Sequence, residues 1–407
     1  MNRMKKIMVT AVCAVLCVAL ASCSMVSVNE DKDRAQVVAE VNGTQITKGE
    51  VMDQVDMNLA VYGMTREQFA EQYGAEQFTA MKEDMLDQFV KGELLYQHAQ
   101  ADGLVEDTEE VRAEKRKGIE DTLASLKSGI EDTANADDTI TDKDAYIEEQ
   151  YAKYSELYGY KDIDKAVEDS IKTDAINAEV EKLNGEVSYS EEEAKAYYDE
   201  LMETQKPAIE EDATAYTTYK NSGTVVYEPK GARYVKNLLI GLPDDVQSEI
   251  KTLRQNGDDE GADAKLQEEL AKIKDSADAA LARAKSGEDF DALIEELGTD
   301  TGMKSEPAKT KGYLVFPGSG MVEPFETASM ALPSVGSISD LVPTDYGYHI
   351  IQYTSEGGGE VPFEDVKESI TSKKLNEVQT AHQDETIEQW KSEESIKTYP
   401  DRLSTFA

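Results

Sequence analysis

Between Gly318 and Tyr353 the chain reads GSGMVEPFETASMAL and then, after Pro333-Ser334-Val335, GSISDLVPTDYGYHIIQY. Met321 and Phe325 stand at i, i+4 spacing around the start of a short helix, so they share one face. Tyr346-Gly347 is a turn signal, and His349 falls inside the apolar strand that leaves it. Helix and strand patterns following one another in this part of the chain point to an α+β domain. An apolar pair, a strand-borne imidazole and the nearby Thr344 hydroxyl suit a dry pocket for a small apolar ring better than a hydrolytic site. The proline ring is one such group.

The chain has 407 residues, is 40% hydrophobic and 31% charged, and carries a formal net charge of -41. That balance belongs to globular, strongly solvated proteins of two or three domains. So many carboxylates repel phosphate backbones and exclude nucleic acid as a partner, while keeping an exported chain soluble. The N-terminus reads as an export signal over residues 1–22: a basic Met1–Lys6, an apolar Ile7–Leu20, then Leu20-Ala21-Ser22-Cys23. Its apolar core is too short for an ordinary spanning helix. Small residues before Cys23 resemble a bacterial lipobox, which implies acylation of that thiol and anchoring in the lipid bilayer; the alternative is a plain signal peptide with an incidental cysteine. Cleavage there removes Cys13 and Cys17 with three positive charges (Arg3, Lys5, Lys6), leaving -44 and no pair for a disulfide. Two acyl chains hold a protein stably where one is marginal. The expectation is a protein tethered to the outer face of the cell membrane.

Residues 23–35 read as a tether. Gln36–Val41 alternates, Asn42-Gly43 signals a hairpin, and Thr44–Ile46 resumes the strand. Thr47 and Glu50 form a capping box ahead of Val51, Val55 and Leu59. Helical patterns then dominate to about residue 203, with a tyrosine stripe at Tyr151, Tyr154 and Tyr158 and a second capping box at Ser190–Glu193. Periodicity fades over 204–226, which contains Pro207 and Gly223 and reads as a linker. From 227 to 355 strands alternate with helices: strands over Arg233–Ile240, Tyr313–Phe316, Ser337–Val342 and Tyr348–Tyr353, helices over Val246–Lys285 with an interruption at Asn256–Asp263, Phe290–Leu297 and Pro324–Ala331. Residues 356–407 return to helix, whose apolar face needs a partner.

The segments GEDFDALIEELGTD, GYLVFPGSGMVEPFETASMAL and GSISDLVPTDYGYHI resemble the parvulin family of peptidyl-prolyl isomerases. VVAEVNGTQITKGEV, ELLYQHAQADGL and YSEEEAKAYYDE resemble the helical chaperone region of SurA-like and PrsA-type foldases. Together these resemblances imply a mostly α-helical chaperone domain with an inserted parvulin domain, a four-stranded antiparallel sheet flanked by helices. They imply isomerisation of X–Pro bonds in unfolded or partly folded exported polypeptides, with no cofactor and no metal; a homodimer stays open. The family's proline pocket falls on Met321 and Phe325, with Leu314 as third wall. Its Cys-or-Asp position falls on Asp300, its paired histidines on Asn237 and His349, and its supporting hydroxyl on Thr344. Asn237 departs from the usual histidine, and Gly312-Tyr313-Leu314-Val315 shortens the usual Gly-Asp-Leu-Gly. Gly241–Asp245 lacks the basic residues of phosphate-directed members.

Two other readings stand beside the isomerase: a holdase chaperone with an inactive parvulin block, to which Asn237 points, and a solute-binding lipoprotein, which accounts for Cys23 alone. His349 also reads as a hydrogen-bonded core histidine. Asn256, Asp258, Glu260 and Gly261 echo a calcium loop, but Gln267 stands where its bidentate Glu belongs. His98 and His382 have no partner at metal-ligand spacing.

Overall fold

The computed structural model describes residues 29–403, so the signal peptide and Cys23 lie outside the described residues. The chain divides into two compact units, the first formed by Met1–Glu186 and Ala381–Ala407, the second by Val187–Thr380. The second is thus inserted in the sequence of the first. No described helix is long and apolar enough to cross a membrane.

The first unit opens with α1 (Glu30–Arg34), β1 (Val37–Val41) and β2 (Thr44–Thr47). Asn42 and Gly43 both take positive φ (49° and 94°), as a two-residue hairpin turn requires. The Thr47–Glu50 capping box is fully made and starts α2 (Lys48–Val61). Part of the expected tether is structured: α1 buries Asp33, whose carboxylate meets the equally buried Lys48 ammonium at 2.7 Å. Two buried opposite charges hold that segment where its polar composition alone reads as loose chain. Beyond follow α3 (Arg66–Tyr73), α4 (Ala75–Ala101), α5 (Glu109–Ala136), α6 (Lys143–Leu157) and α7 (Ile163–Gly185). Leu86, Val90 and Leu94 of α4 and Leu183 of α7 join Val38, Val41 and Val51 in one core.

The second unit begins before the isomerase-like block. Its α8 (Glu191–Glu211) and α9 (Ala215–Ser222) occupy most of the segment read as a linker. Tertiary bonds override the weak periodicity there. Tyr198 donates to the Val361 carbonyl at 2.7 Å, and the Gln205 amide bridges Thr224 O and Val226 N at 2.9 Å each. β3 (Tyr227–Glu228) follows, then β4 (Arg233–Gly241), α10 (Asp244–Gln255), α11 (Asp259–Lys285), α12 (Phe290–Leu297), α13 (Ala308–Lys311), β5 (Tyr313–Val315), α14 (Glu323–Ala331), β6 (Val342–Thr344), β7 (Gly347–Glu356) and β8 (Gly359–Glu360).

The main sheet is four-stranded and antiparallel in the order β5-β4-β7-β6, while β3 pairs with β8. Alternation along β4 and β7 sends Leu238 and Ile350 to one face, against Ala280, Phe290, Leu293 and Ile294. Val235, Ile351 and Tyr353 go to the other face, against Phe325 and Leu332. Gly347 (φ 138°) opens β7 where a Cβ would stand 2.3 Å from the Ile240 carbonyl oxygen, so the turn tolerates only glycine. Of the expected strand Ser337–Val342, Val342 opens β6 and the preceding residues meet β7 only through an isolated bridge between Ile338 and Gln352. There the Ser339 hydroxyl takes the Ile351 N–H at 2.9 Å, replacing a ladder bond.

α15 (Phe363–Glu393) has Ile370 packed on Ala194, Tyr198 and Val226 of the second unit. From Ala381 onward the chain counts with the first unit, where Ile387 enters the core beside Leu86 and Leu94. β9 (Ile396–Thr398) then pairs antiparallel with β1, Ala39 facing Thr398 and Val41 facing Ile396.

Candidate active site

β4 and β7 place Asn237 and His349 on the sheet face that carries Val235 and Ile351, two register positions apart, since Asn237 faces Ile351 and His349 faces Leu239. The Asn237 side chain is 2% exposed and that of His349 6%. Their distance is set by a hydrogen bond: His349 Nδ1 lies 3.0 Å from Asn237 Oδ1. Asn237 Nδ2 in turn donates to Asp300 Oδ2 at 2.8 Å. On the far side of the imidazole, His349 Nε2 meets Thr344 Oγ1 at 2.8 Å, and Thr344 Oγ1 accepts the Tyr346 N–H at 3.1 Å.

These bonds fix each hydrogen. With the Asn237 amide nitrogen committed to a carboxylate, its oxygen must accept, so Nδ1 of His349 carries the proton. Nε2 is then bare and takes the Thr344 hydroxyl proton. Every donor in the chain Tyr346–Thr344–His349–Asn237 points toward Asp300. Burial pushes the His349 imidazolium down to about 4, with the Asp300 charge pulling weakly the other way, so the ring is neutral at physiological pH.

Asp300 is itself held by the Gly302 N–H at 3.0 Å, the Met303 N–H at 3.3 Å and the Tyr313 hydroxyl at 3.1 Å. Burial, joined by the Asp300 charge, raises the Tyr313 phenol well above its usual range, so it stays a donor. This hydroxyl was not identified from sequence. The available signal is parity: Tyr313 pairs with Val235 across β4–β5 and so shares the face of Asn237.

Over this polar line lies an apolar layer. The Phe325 ring meets the His349 ring edge-on, centroids 5.2 Å apart. Met321, partly buried, packs into the same cluster with Val315, Leu332, Ile351 and Tyr353. Glu326, one turn into α14, accepts from the Gly318 and Ser319 N–H groups at 3.0 Å each and holds the loop that delivers Met321. Arg233 donates to the Ser329 carbonyl at 3.2 Å at the end of α14 while lying over the Tyr353 ring. Six of the seven site residues read from sequence therefore converge. Leu314 does not. It pairs with Tyr234, on the opposite sheet face, and its Cδ1 would lie 2.6 Å from a Cβ on Gly357. Strand parity instead brings Val315 and Tyr313 of β5 to the Phe325 cluster.

Residues 254–355, which contain all of this site but its β4 residues, match the PPIC-type PPIASE domain family. The chain carries a PPIC-type peptidyl-prolyl isomerase domain. Residues 1–117 match the SurA-like N-terminal domain. The isomerase domain thus sits in a chain whose relatives include the foldase protein PrsA of Clostridium perfringens, 24% identical over 99% of this chain and 98% of that one. The foldase protein PrsA of Caldanaerobacter subterraneus subsp. tengcongensis is 27% identical over 95% and 94%. The crystal structure of PrsA from Bacillus subtilis is 18% identical, covers 92% of this chain and 100% of that one, and has a TM-score of 0.25. The fold of the isomerase domain rests on its own topology and on the domain match.

Proposed function

We propose that the protein is a peptidyl-prolyl cis-trans isomerase and foldase that acts on unfolded or partly folded exported polypeptides. The observation that carries this reading is the junction of Phe325 and His349, where an apolar layer lies directly on a fully directed polar line ending at Asp300. Rotation about an X–Pro bond is slow because amide resonance sets a barrier of roughly 18–20 kcal/mol. The planar amide is the more dipolar state, and water stabilises it over the twisted one. A pyrrolidine ring gripped by Met321 and Phe325 removes that water from the bond. His349, neutral and bonded at both nitrogens, supports the Phe325 ring from below and offers no charge that would stabilise the planar amide. The fixed Asp300 carboxylate supplies a constant field on the same side. Isomerisation makes and breaks no covalent bond, so it demands no nucleophile.

Asn237 does with one amide what a histidine does with two ring nitrogens: it accepts from His349 and donates to Asp300. That substitution keeps the line continuous, which favours an active site over a holdase with an inert block. In this reading Cys23 is the acylated anchor, the protein works at the outer face of the cell membrane, and the first unit holds clients while the pocket turns their prolines. A proline tetrapeptide isomerisation assay tests it: wild-type protein no faster than buffer removes the enzyme, whereas aggregation suppression surviving that result would leave the holdase.

A further inference from the structure

The hydroxyl of Thr344 and the imidazole of His349 owe their register to the two-residue turn Asp345-Tyr346 between β6 and β7. That turn is gripped from outside the sheet. Arg254, in the last turn of α10, sets its guanidinium on the Asp345 carboxylate in bidentate fashion, Nε to Oδ2 at 2.6 Å and a terminal nitrogen to Oδ1 at 2.8 Å. The same terminal nitrogen reaches Asp263 Oδ1 at 2.9 Å, and Asp259 stands 3.7 Å from the other. One cation thereby ties the end of α10, the first turns of α11 and the turn of the sheet. A second tie runs through the backbone, where Leu242 N–H donates to the Tyr346 carbonyl at 2.8 Å. Tyr346 N–H is the group that holds the Thr344 oxygen, so the clamp lies one residue from the first link of the line to Asp300.

We infer that Arg254 is a positioning residue of the active site, acting through Asp345 and the Thr344 hydroxyl to keep Nε2 of His349 hydrogen-bonded and its ring fixed under Phe325. This rests on the isomerase reading above only for its effect on rate. The geometry argues for it in two ways. A planar fork on a carboxylate fixes orientation as well as distance, which a lysine at the same place does not. Thr344 donates to Nε2 only while its oxygen is held by the Tyr346 N–H, so a turn free to rock lets the hydroxyl rotate away and leaves Nε2 open to a proton, with Asn237 still holding the Nδ1–H.

The test uses the full chain with Arg254→Met, and with Asp345→Asn as a second variant should the first fail to fold. Arg283→Met serves as control, since Arg283 bridges Glu288 and Glu296 by the same chemistry elsewhere in the unit. Nitrogen-15 NMR of His349 is the decisive readout. Wild type and control should show a single Nδ1–H tautomer. The clamp variants should keep the Nδ1–H tautomer but show a changed Nε2 shift and a titration midpoint moved up toward the ordinary 6.5, with kcat/KM lower by about tenfold, the scale of a small misplacement. Unchanged His349 nitrogen shifts in a folded clamp variant, or an equal change in Arg283→Met, would overturn the inference. Absence of isomerase activity in wild type would instead remove the proposed function, with the NMR result still deciding the clamp.

Discussion

Acidification should weaken the second unit through one residue, His349. In the folded chain this imidazole stays neutral down to about pH 4 because burial disfavours its charge, whereas in the unfolded chain it titrates near 6.5. Between those values only the unfolded state holds the proton, so stability falls as pH falls from about 6.5 to about 4 and is level on either side. A difference of about 2.5 pH units at 1.36 kcal/mol per unit gives about 3 kcal/mol, with little to subtract for solvent since the side chain is 6% exposed. Many carboxylates titrate in the same range, so the measurement has to be a difference. Amide hydrogen exchange of the β4 and β7 core, in wild type and His349→Gln at several pH values between 7 and 4, supplies it. Wild type should lose about 3 kcal/mol more than the variant across that span. A difference that stays constant with pH, or an imidazole resonance of His349 titrating near 6.5, would refute the burial argument. Assignment is simple, because the chain has three histidines and His98 and His382 both belong to the first unit.

Four further outcomes are expected. Phe325→Ala removes a ring from a site 3% exposed and should cost about 3–5 kcal/mol in urea unfolding, so Phe325→Leu is the better kinetic probe and should lower kcat/KM in the tetrapeptide assay with the fold retained. Asn237→Ala strands the His349 Nδ1–H and one oxygen of Asp300, costing about 1–3 kcal/mol, while Asn237→His keeps both links and should hold or raise the isomerisation rate. Gly347→Ala forces a Cβ onto the Ile240 carbonyl at an unfavourable φ and should destabilise the sheet by at least about 1–3 kcal/mol, seen as loss of β7 exchange protection. Lys48→Met removes the ammonium 2.7 Å from the buried Asp33 carboxylate and should cost the first unit about 3–5 kcal/mol, read from the fluorescence of the sole tryptophan, Trp390.

Much of the site was legible because its signals are local. The spacing of Met321 and Phe325, the turn at Tyr346-Gly347 and the apolar strand around His349 are each set within a few residues. Leu314 was misplaced because a three-residue strand does not declare its own parity; only the register with Tyr234 does. Tyr313 was missed for the same reason, since its hydroxyl matters only once β5 is laid beside β4. The helices within 204–226 escaped because Gln205 and Tyr227 are tied by bonds the sequence does not advertise, Tyr227 donating to Glu210 at 2.7 Å. β9 is three residues long and finds its partner across more than three hundred residues, a distance over which no local pattern carries information.

That distant pairing imposes a timetable on a chain threaded N-terminus first. The hairpin of β1 and β2 arrives early with one flank of β1 still unmatched, and the inserted unit can condense completely in the interval. Only when Ile396–Thr398 emerges is the flank occupied, so the first unit finishes after the unit it encloses. A chain halted before Ile396 would present an open strand rim to its neighbours, the geometry from which intermolecular pairing starts.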